Sequence, residues 1–284
     1  MKISEILKSK KAVLSFEVFP PKTGAARESV FAAVDGISAL NPDFMSVTYG
    51  AGGGTSDYTV EVAGRIKNAG VTPLAHLSCI SSDHEGVRAK LAQLKKLKIE
   101  NILALRGDLP EGFSGNLDYR YANELVAEIK AFGDFCVGGA CYPEGHPESR
   151  TLFEDIEHLK IKADAGCDFL TTQMFFDNDV YYSFLSKLAA AGINLPVIAG
   201  IMPVTNAASI KRIVKLSGGS LPTRFRRIVD RFGDDPEAMT QAGIAYATEQ
   251  VVDLYANGIR AVHIYSMNKP YVAAKIKENL SHII

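Results

Sequence analysis

The 284-residue sequence contains no tryptophan and only four cysteines, and neither sign of charge is in excess: 31 Lys+Arg stand against 32 Asp+Glu. A net charge of −1 supplies no basic field for a general nucleic-acid binder or an anionic membrane surface, so neither partner is expected. No apolar run approaches the roughly 18 residues that span a bilayer. The stretch Met1–Lys11 is charged throughout and has no signal-peptide core, which makes a cytoplasmic location the expectation. Cys79, Cys136, Cys141 and Cys167 form no C-x-x-C pair, and no His/Asp/Glu set has metal-ligand spacing. The cysteines therefore read as small packed hydrophobes, and no metal is expected. Linkers, low-complexity tracts and charge blocks are also missing, so residues 1–284 read as one domain.

What is present is a single repeated unit. Short apolar runs occur at Val13–Val18, Phe44–Thr48, Thr72–Leu77, Asn101–Leu105, Phe135–Ala140, Asp168–Thr172, Leu195–Gly200 and Arg260–Ile264. Their near-continuous apolar character suits strands buried on both faces. Helical periodicity fills the intervals: Arg27–Leu40, Asp83–Leu97 behind a Ser-Ser-Asp cap, and Thr151–Ala165 and Asp177–Ala191, each followed by glycine. Two further helices, Ala207–Leu216 and Pro236–Ala256, are separated by Ser217–Pro222. Eight β/α units in this length favour a closed (β/α)₈ TIM barrel of the α/β class over a doubly wound sheet.

In such a barrel the chemistry lies where the strands end. Those ends carry Glu17, Thr48-Tyr49, His76, Arg106-Gly107-Asp108, Tyr142, Gln173 and Tyr265. One polar strand end is ordinarily a solvated group, but seven around a ring predict a polar pocket. Glu17 sits in Ser15-Phe16-Glu17-Val18-Phe19-Pro20-Pro21, where desolvation would hold its proton to higher pH and suit a general acid. The alternative is a buried glutamate paired with an Arg or Lys. Arg106 can grip phosphate or carboxylate, and Asp108 can accept from a heterocycle N–H; alternatively, the two pin their own loop. The Gly50–Thr55 loop lacks both the G-x-G-x-x-G spacing and a Walker lysine, and Arg224–Arg231 reads as a solvated helix face. His76 and His146 are the histidines placed to meet a ligand, whereas His263, inside a strand, defaults to a structural role.

Seven blocks in order along the chain then carry a resemblance: Ser15–Pro21, Ser46–Ala51, Ala75–Cys79, Leu105–Pro110, Tyr142–Pro147, Thr172–Asp177 and Gly200–Pro203. Together they resemble the methylenetetrahydrofolate reductase family. The resemblance implies a barrel that binds FAD and reduces 5,10-methylenetetrahydrofolate to 5-methyltetrahydrofolate with NADH or NADPH. The two half-reactions alternate at one flavin face, a ping-pong scheme in one-carbon metabolism. It further implies Glu17 as the acid that protonates the folate's bridging nitrogen, and Asp108 as the acidic group beside flavin and pterin. Gln173, Tyr265 and Lys269 fall on the substrate side. Thr48, His76, Arg106, Gly107, Asp108, Tyr121, Ala122, Tyr142, His146, Asp155, His158 and Lys162 fall at FAD-lining positions, with Arg106 and Lys162 as cations for the pyrophosphate.

The sequence departs from the family pattern at Ile213, where some members carry an aromatic clamp, at His158 and Ile161 in place of polar FAD contacts, and at Lys269 in place of arginine. Its length leaves no room for the regulatory domain of eukaryotic members, so inhibition by adenosylmethionine is not expected. A homo-oligomer is left open. Three rivals are a Schiff-base lyase, disfavoured because no lysine ends a strand, a pterin barrel without redox chemistry, and a non-catalytic scaffold.

Overall fold

Apolar runs of four to seven residues become strands because each presents one row of side chains to the barrel interior and the other to a ring of helices. The computed structural model describes residues 1–49, 56–80, 82–107, 118–210, 214 and 219–284. Its strands are β1 (Val13–Val18), β2 (Phe44–Val47), β3 (Thr72–Ser78), β4 (Asn101–Leu105), β5 (Cys136–Cys141), β6 (Phe169–Thr172), β7 (Val197–Ile201) and β8 (Ala261–Ile264). All pair in parallel in chain order, and β8 returns to β1 to close the barrel. The α/β-barrel expectation is met. Strand limits differ from those read in the sequence by one or two residues, the usual uncertainty of element ends. At β7 the cause is specific: Pro196 has no N–H to give the ladder, and its carbonyl instead receives the Leu170 N–H at 2.8 Å.

Ten α-helices occur among the described residues: α1 (Ile3–Ser9), α2 (Arg27–Ser38), α3 (Ser56–Asn68), α4 (His84–Lys96), α5 (Ala122–Phe132), α6 (Leu152–Asp164), α7 (Asn178–Ala190), α8 (Thr223–Phe232), α9 (Pro236–Ala256) and α10 (Pro270–Asn279). The caps read from sequence are in place. Asp83 accepts the Gly86 N–H at 2.7 Å, and Gly166 and Gly192 take the left-handed conformation just past α6 and α7. The connection after β7 opens with a 3₁₀ turn, Ala207–Ser209; Ile210 and Val214 are helical, and the rest of the expected Ala207–Leu216 helix lies outside the described residues. Thr223–Phe232, read from the sequence as a solvated helix face, forms a helix of its own. Phe225 drives that helix, because it is buried in a stack on Phe176 with ring centroids 5.1 Å apart.

Helix α1 was not expected from the sequence, yet it closes the N-terminal end of the barrel. Ile3, Ile6 and Leu7 pack against Val13, Phe44, Leu74, Leu103, Cys136, Phe169, Ile198 and Ala261, one apolar layer drawn from all eight strands. Moving up each strand by two residues changes the character of the interior. Ser15, Ser46, His76, Thr171 and His263 follow, then Glu17 and, where the strands run out, Thr48, Gln173 and Tyr265. The interior thus grades from hydrocarbon at the base to hydrogen-bonding groups at the mouth.

Candidate active site

Glu17 faces the interior from β1, directly across the ladder from Ser46 on β2. It is 6% exposed, and no Arg or Lys pairs with it among the described residues. The nearest ionisable partner is His76 on β3, whose Nε2 lies 3.7 Å from a carboxylate oxygen. Desolvation raises the Glu17 carboxyl to about 8, opposed to a smaller extent by the adjacent Ser46 hydroxyl, which lowers it. His76 is 7% exposed and burial lowers it to about 3, so the ring is neutral and forms no true ion pair. The paired-glutamate alternative is therefore excluded among the described residues, and a desolvated acid remains.

Tyr265 closes the other side. Its hydroxyl donates to the Thr172 carbonyl at 2.5 Å, across the end of β6. The ring fits because residue 200 is glycine: a Cβ there would lie 2.5 Å from the Tyr265 hydroxyl oxygen. Ser266 donates to the Glu17 carbonyl at 2.6 Å and ties the end of β8 to the acid-bearing strand. Gln173 receives its place through its own N–H, bonded to the Cys141 carbonyl at 2.7 Å, while its side-chain oxygen accepts the Met174 N–H.

The residues assigned to FAD lie around β3, β4 and β5. Gly107 has φ 88° and packs onto Ser78 and Ile80 with no room for a Cβ, and the Ser78 hydroxyl holds the Arg106 carbonyl at 2.8 Å. The Arg106 guanidinium is gripped by both oxygens of Glu148 at 2.6 and 2.5 Å, a partner the sequence did not announce. Tyr142 and His146 meet edge to face at 4.6 Å. Lys162 is drawn inward, donating to the Ala140 carbonyl at 2.5 Å, with burial lowering its basicity. Asp155 accepts from Ser149 at 3.2 Å. Tyr121, at the start of α5 beside Ala122, is 59% exposed and stacks loosely on His158 at 6.5 Å. Thr48 caps the end of β2 with its N–H on the Val18 carbonyl at 3.1 Å. Lys269, past the end of β8, donates to the Thr205 hydroxyl at 2.6 Å. Asp108, Ile213 and the Gly50–Thr55 loop lie outside the described residues.

All four cysteines are buried and free, and burial raises Cys79 to about 12 and Cys167 to about 11, consistent with packing rather than reactivity. Sequence reading missed the polar layer beneath Glu17. Its signal was available: Ser15 and Ser46 interrupt otherwise apolar strands at inward positions.

The methylenetetrahydrofolate reductase family model matches residues 2–281. The chain belongs to this family. Methylenetetrahydrofolate reductase (NADH) 1 of Zea mays is 35% identical over 298 positions, which cover 99% of this chain and 50% of that protein. The 5,10-methylenetetrahydrofolate reductase of Escherichia coli is 35% identical over 268 positions, covering 94% of this chain and 90% of that one. The chain thus spans about half the length of its plant relatives and most of its bacterial ones. Among solved structures, a Clostridium thermocellum protein described as binding two copies of 5-methyl-5,6,7,8-tetrahydrofolic acid shares the fold, with a TM-score of 0.69 and 14% identity over the full length of both chains. Oxaloacetate acetylhydrolase superposes with a TM-score of 0.57 at 14% identity, covering 99% of this chain and 84% of that one.

Proposed function

We propose that the chain reduces 5,10-methylenetetrahydrofolate to 5-methyltetrahydrofolate with electrons from NADH or NADPH, carried by FAD, and that Glu17 is the general acid. The observation that carries the reading is a desolvated carboxyl at the mouth of a barrel of this family, still protonated near neutral pH. Ring opening of the methylene bridge requires a proton on a weakly basic nitrogen, and an acid with a pKa near the working pH is the efficient donor. An ordinary exposed glutamate would be ionised and would have no proton to give.

The residues around β3 to β5 fit a flavin nucleotide. The buried Nε2 of His76 has no hydrogen-bond partner among the described residues, which suits a group that hydrogen-bonds to a ligand. Tyr121 offers an exposed ring for stacking, and Arg106, Tyr142, His146, Asp155 and Lys162 would supply polar contacts. FAD would accept and deliver a hydride, which no side chain can do. The chain's own contribution is to hold and release a proton at Glu17, to orient a pterin edge with Gln173 and Tyr265, and to keep bulk water from the acid. Asp108 is assigned a place beside both flavin and pterin, Thr48, Gly107, Ala122 and His158 would complete the flavin lining, and Lys269 would stand on the substrate side.

The reading is tested by anaerobic spectroscopy. FAD-reconstituted protein should be yellow, bleach with NADH or NADPH, and regain its colour on adding 5,10-methylenetetrahydrofolate with formation of the 5-methyl product. Protein that neither retains FAD nor reoxidises with the folate would end the proposal.

A further inference from the structure

Arg106 is the cation assigned to the cofactor's pyrophosphate, yet a carboxylate of this chain holds its guanidinium. Glu148 accepts from Nη1 at 2.6 Å and from Nη2 at 2.5 Å, while Nε donates to the Gly107 carbonyl at 3.1 Å. Three of the five N–H groups are thus engaged. An arginine grips phosphate with the same two-pronged fork that it offers a carboxylate, so a phosphate and Glu148 compete for the same donors.

The two partners are not equally free to move. The Arg106 side chain is 17% exposed, against 57% for Glu148. The arginine's backbone is pinned, because its carbonyl accepts from the Ser78 hydroxyl and from the Ile80 N–H, both at 2.8 Å, and Gly107 packs onto the same two residues. The Glu148 backbone is held too, with its N–H on His146 Nδ1 at 3.1 Å and the Ser149 N–H on the His146 carbonyl at 2.9 Å. The Glu148 side chain is the part that can turn away into water, since a largely exposed carboxylate stays hydrated when its pair opens. Leaving the arginine, mostly withdrawn from water, without any anion would cost more.

We propose that Glu148 stands in for the cofactor's pyrophosphate: it neutralises Arg106 in the cofactor-free protein, must swing off the guanidinium for a dinucleotide phosphate to bind there, and so sets how tightly the chain holds FAD. This deepens the functional reading given above and rests on it. Arg106 in turn holds the Glu148 carboxyl below the usual carboxylate range, which keeps the competitor charged at neutral pH. Two effects follow. The attraction between Arg106 and the phosphate is offset by the pair that opens, so only the difference contributes to affinity. The displaced carboxylate also stays tethered close to an anionic ligand and repels it.

The test is ligand affinity, read by flavin fluorescence and by calorimetry on apoprotein titrated with FAD or with riboflavin, which carries no phosphate. Glu148→Gln keeps the side chain's shape and removes its charge. It should tighten FAD by ~5-fold or more, the upper range for a part-exposed pair, and leave riboflavin unchanged. In an Arg106→Gln background the same substitution should no longer tighten FAD, because a competitor acts only through the cation it occupies.

FAD bound no more tightly by Glu148→Gln than by wild type would overturn the proposal. Weaker binding would show that Glu148 orients Arg106 for the phosphate instead of competing with it. Tightening that survives in Arg106→Gln, or that extends equally to riboflavin, would overturn it as well, the first by exposing a general effect of charge and the second a rearranged site. Failure of the functional reading is a different result. If neither wild type nor Glu148→Gln binds FAD, both fall; if both bind it equally, only the role of Glu148 does.

Discussion

Glu17 illustrates how one residue can be costly to the fold and yet be the group on which the proposed chemistry rests. Below about pH 4.3 its carboxyl is neutral both folded and unfolded, and it does not affect the balance. Between there and about 8 only the unfolded chain ionises, so the folded state loses relative stability as pH rises. The full cost is on the order of 5 kcal/mol above pH 8. Glu17→Gln should therefore raise the Tm more at pH 8 than at pH 5, which calorimetry at the two values would read directly; equal shifts would show that the carboxyl is already ionised in the fold. The same variant should retain flavin reduction by NADH or NADPH while folate reduction falls by ~10²-fold or more, as befits loss of a general acid. Stopped-flow measurement of each half-reaction separates the two, and equal losses would remove Glu17 from that role.

The acid was legible in the sequence because its neighbours, Phe16, Val18 and two prolines, declare burial without any structure. The Arg106–Glu148 pair was not, since it joins two loops 42 residues apart and no local pattern announces it. The same holds for the hydrogen bonds that join Ser15 and Ser46 to His263, which span up to 248 positions and exist only once the barrel is closed.

At the scale of elements, periodicity carried most of the information. Strands and capped helices were read nearly to the residue where apolar runs and Asp, Thr or Gly signals coincide, as in α4 and α6. It failed at α1, whose seven residues are too short to display a period and whose apolar face is explained only by the barrel base it covers. At α8 it gave the helix but not its anchor, because an arginine-rich surface masks the single buried residue, Phe225. Helix α9 depends on close approach rather than on propensity. A Cβ at Gly243 would collide with the Val204 carbonyl in the segment leaving β7. Gly243→Ala, a substitution that should favour an isolated helix, is accordingly expected to destabilise the protein by ~2 kcal/mol or more through forced separation of α9 from that segment. Urea titration checks this; an unchanged or higher midpoint would mean that α9 does not rest on the backbone of β7's exit.

At the scale of the whole molecule, the near-balance of charge has a local meaning. The cations near the mouth are committed individually, Arg106 to Glu148 and Lys162 to the Ala140 carbonyl, rather than forming a general field. Ligand binding should then register as specific linkage. FAD at ~100 times its dissociation constant should stabilise the apoprotein by about 2.7 kcal/mol, visible as a rise in Tm that tracks FAD concentration. FMN, which lacks the adenylate, should give a smaller rise at equal concentration if Arg106, Tyr121 and Lys162 act on the pyrophosphate and adenosine side. Equal rises would move those residues out of the cofactor site.

The fit of Tyr265 against Gly200 has a consequence for how such a chain can change over time. Because the ring occupies the volume that any side chain at 200 would need, the two positions are not free to vary independently. A lineage that shortened residue 265 would lift only half of the constraint, because a Cβ at 200 would still collide with the Thr172 carbonyl oxygen. Position 200 is therefore held to glycine by backbone even where the ring is lost, whereas position 265 is held only by its neighbours. A double-mutant cycle on Gly200→Ala and Tyr265→Ala should show a pair that costs less than the sum of its parts while Gly200→Ala stays costly in the Tyr265→Ala background.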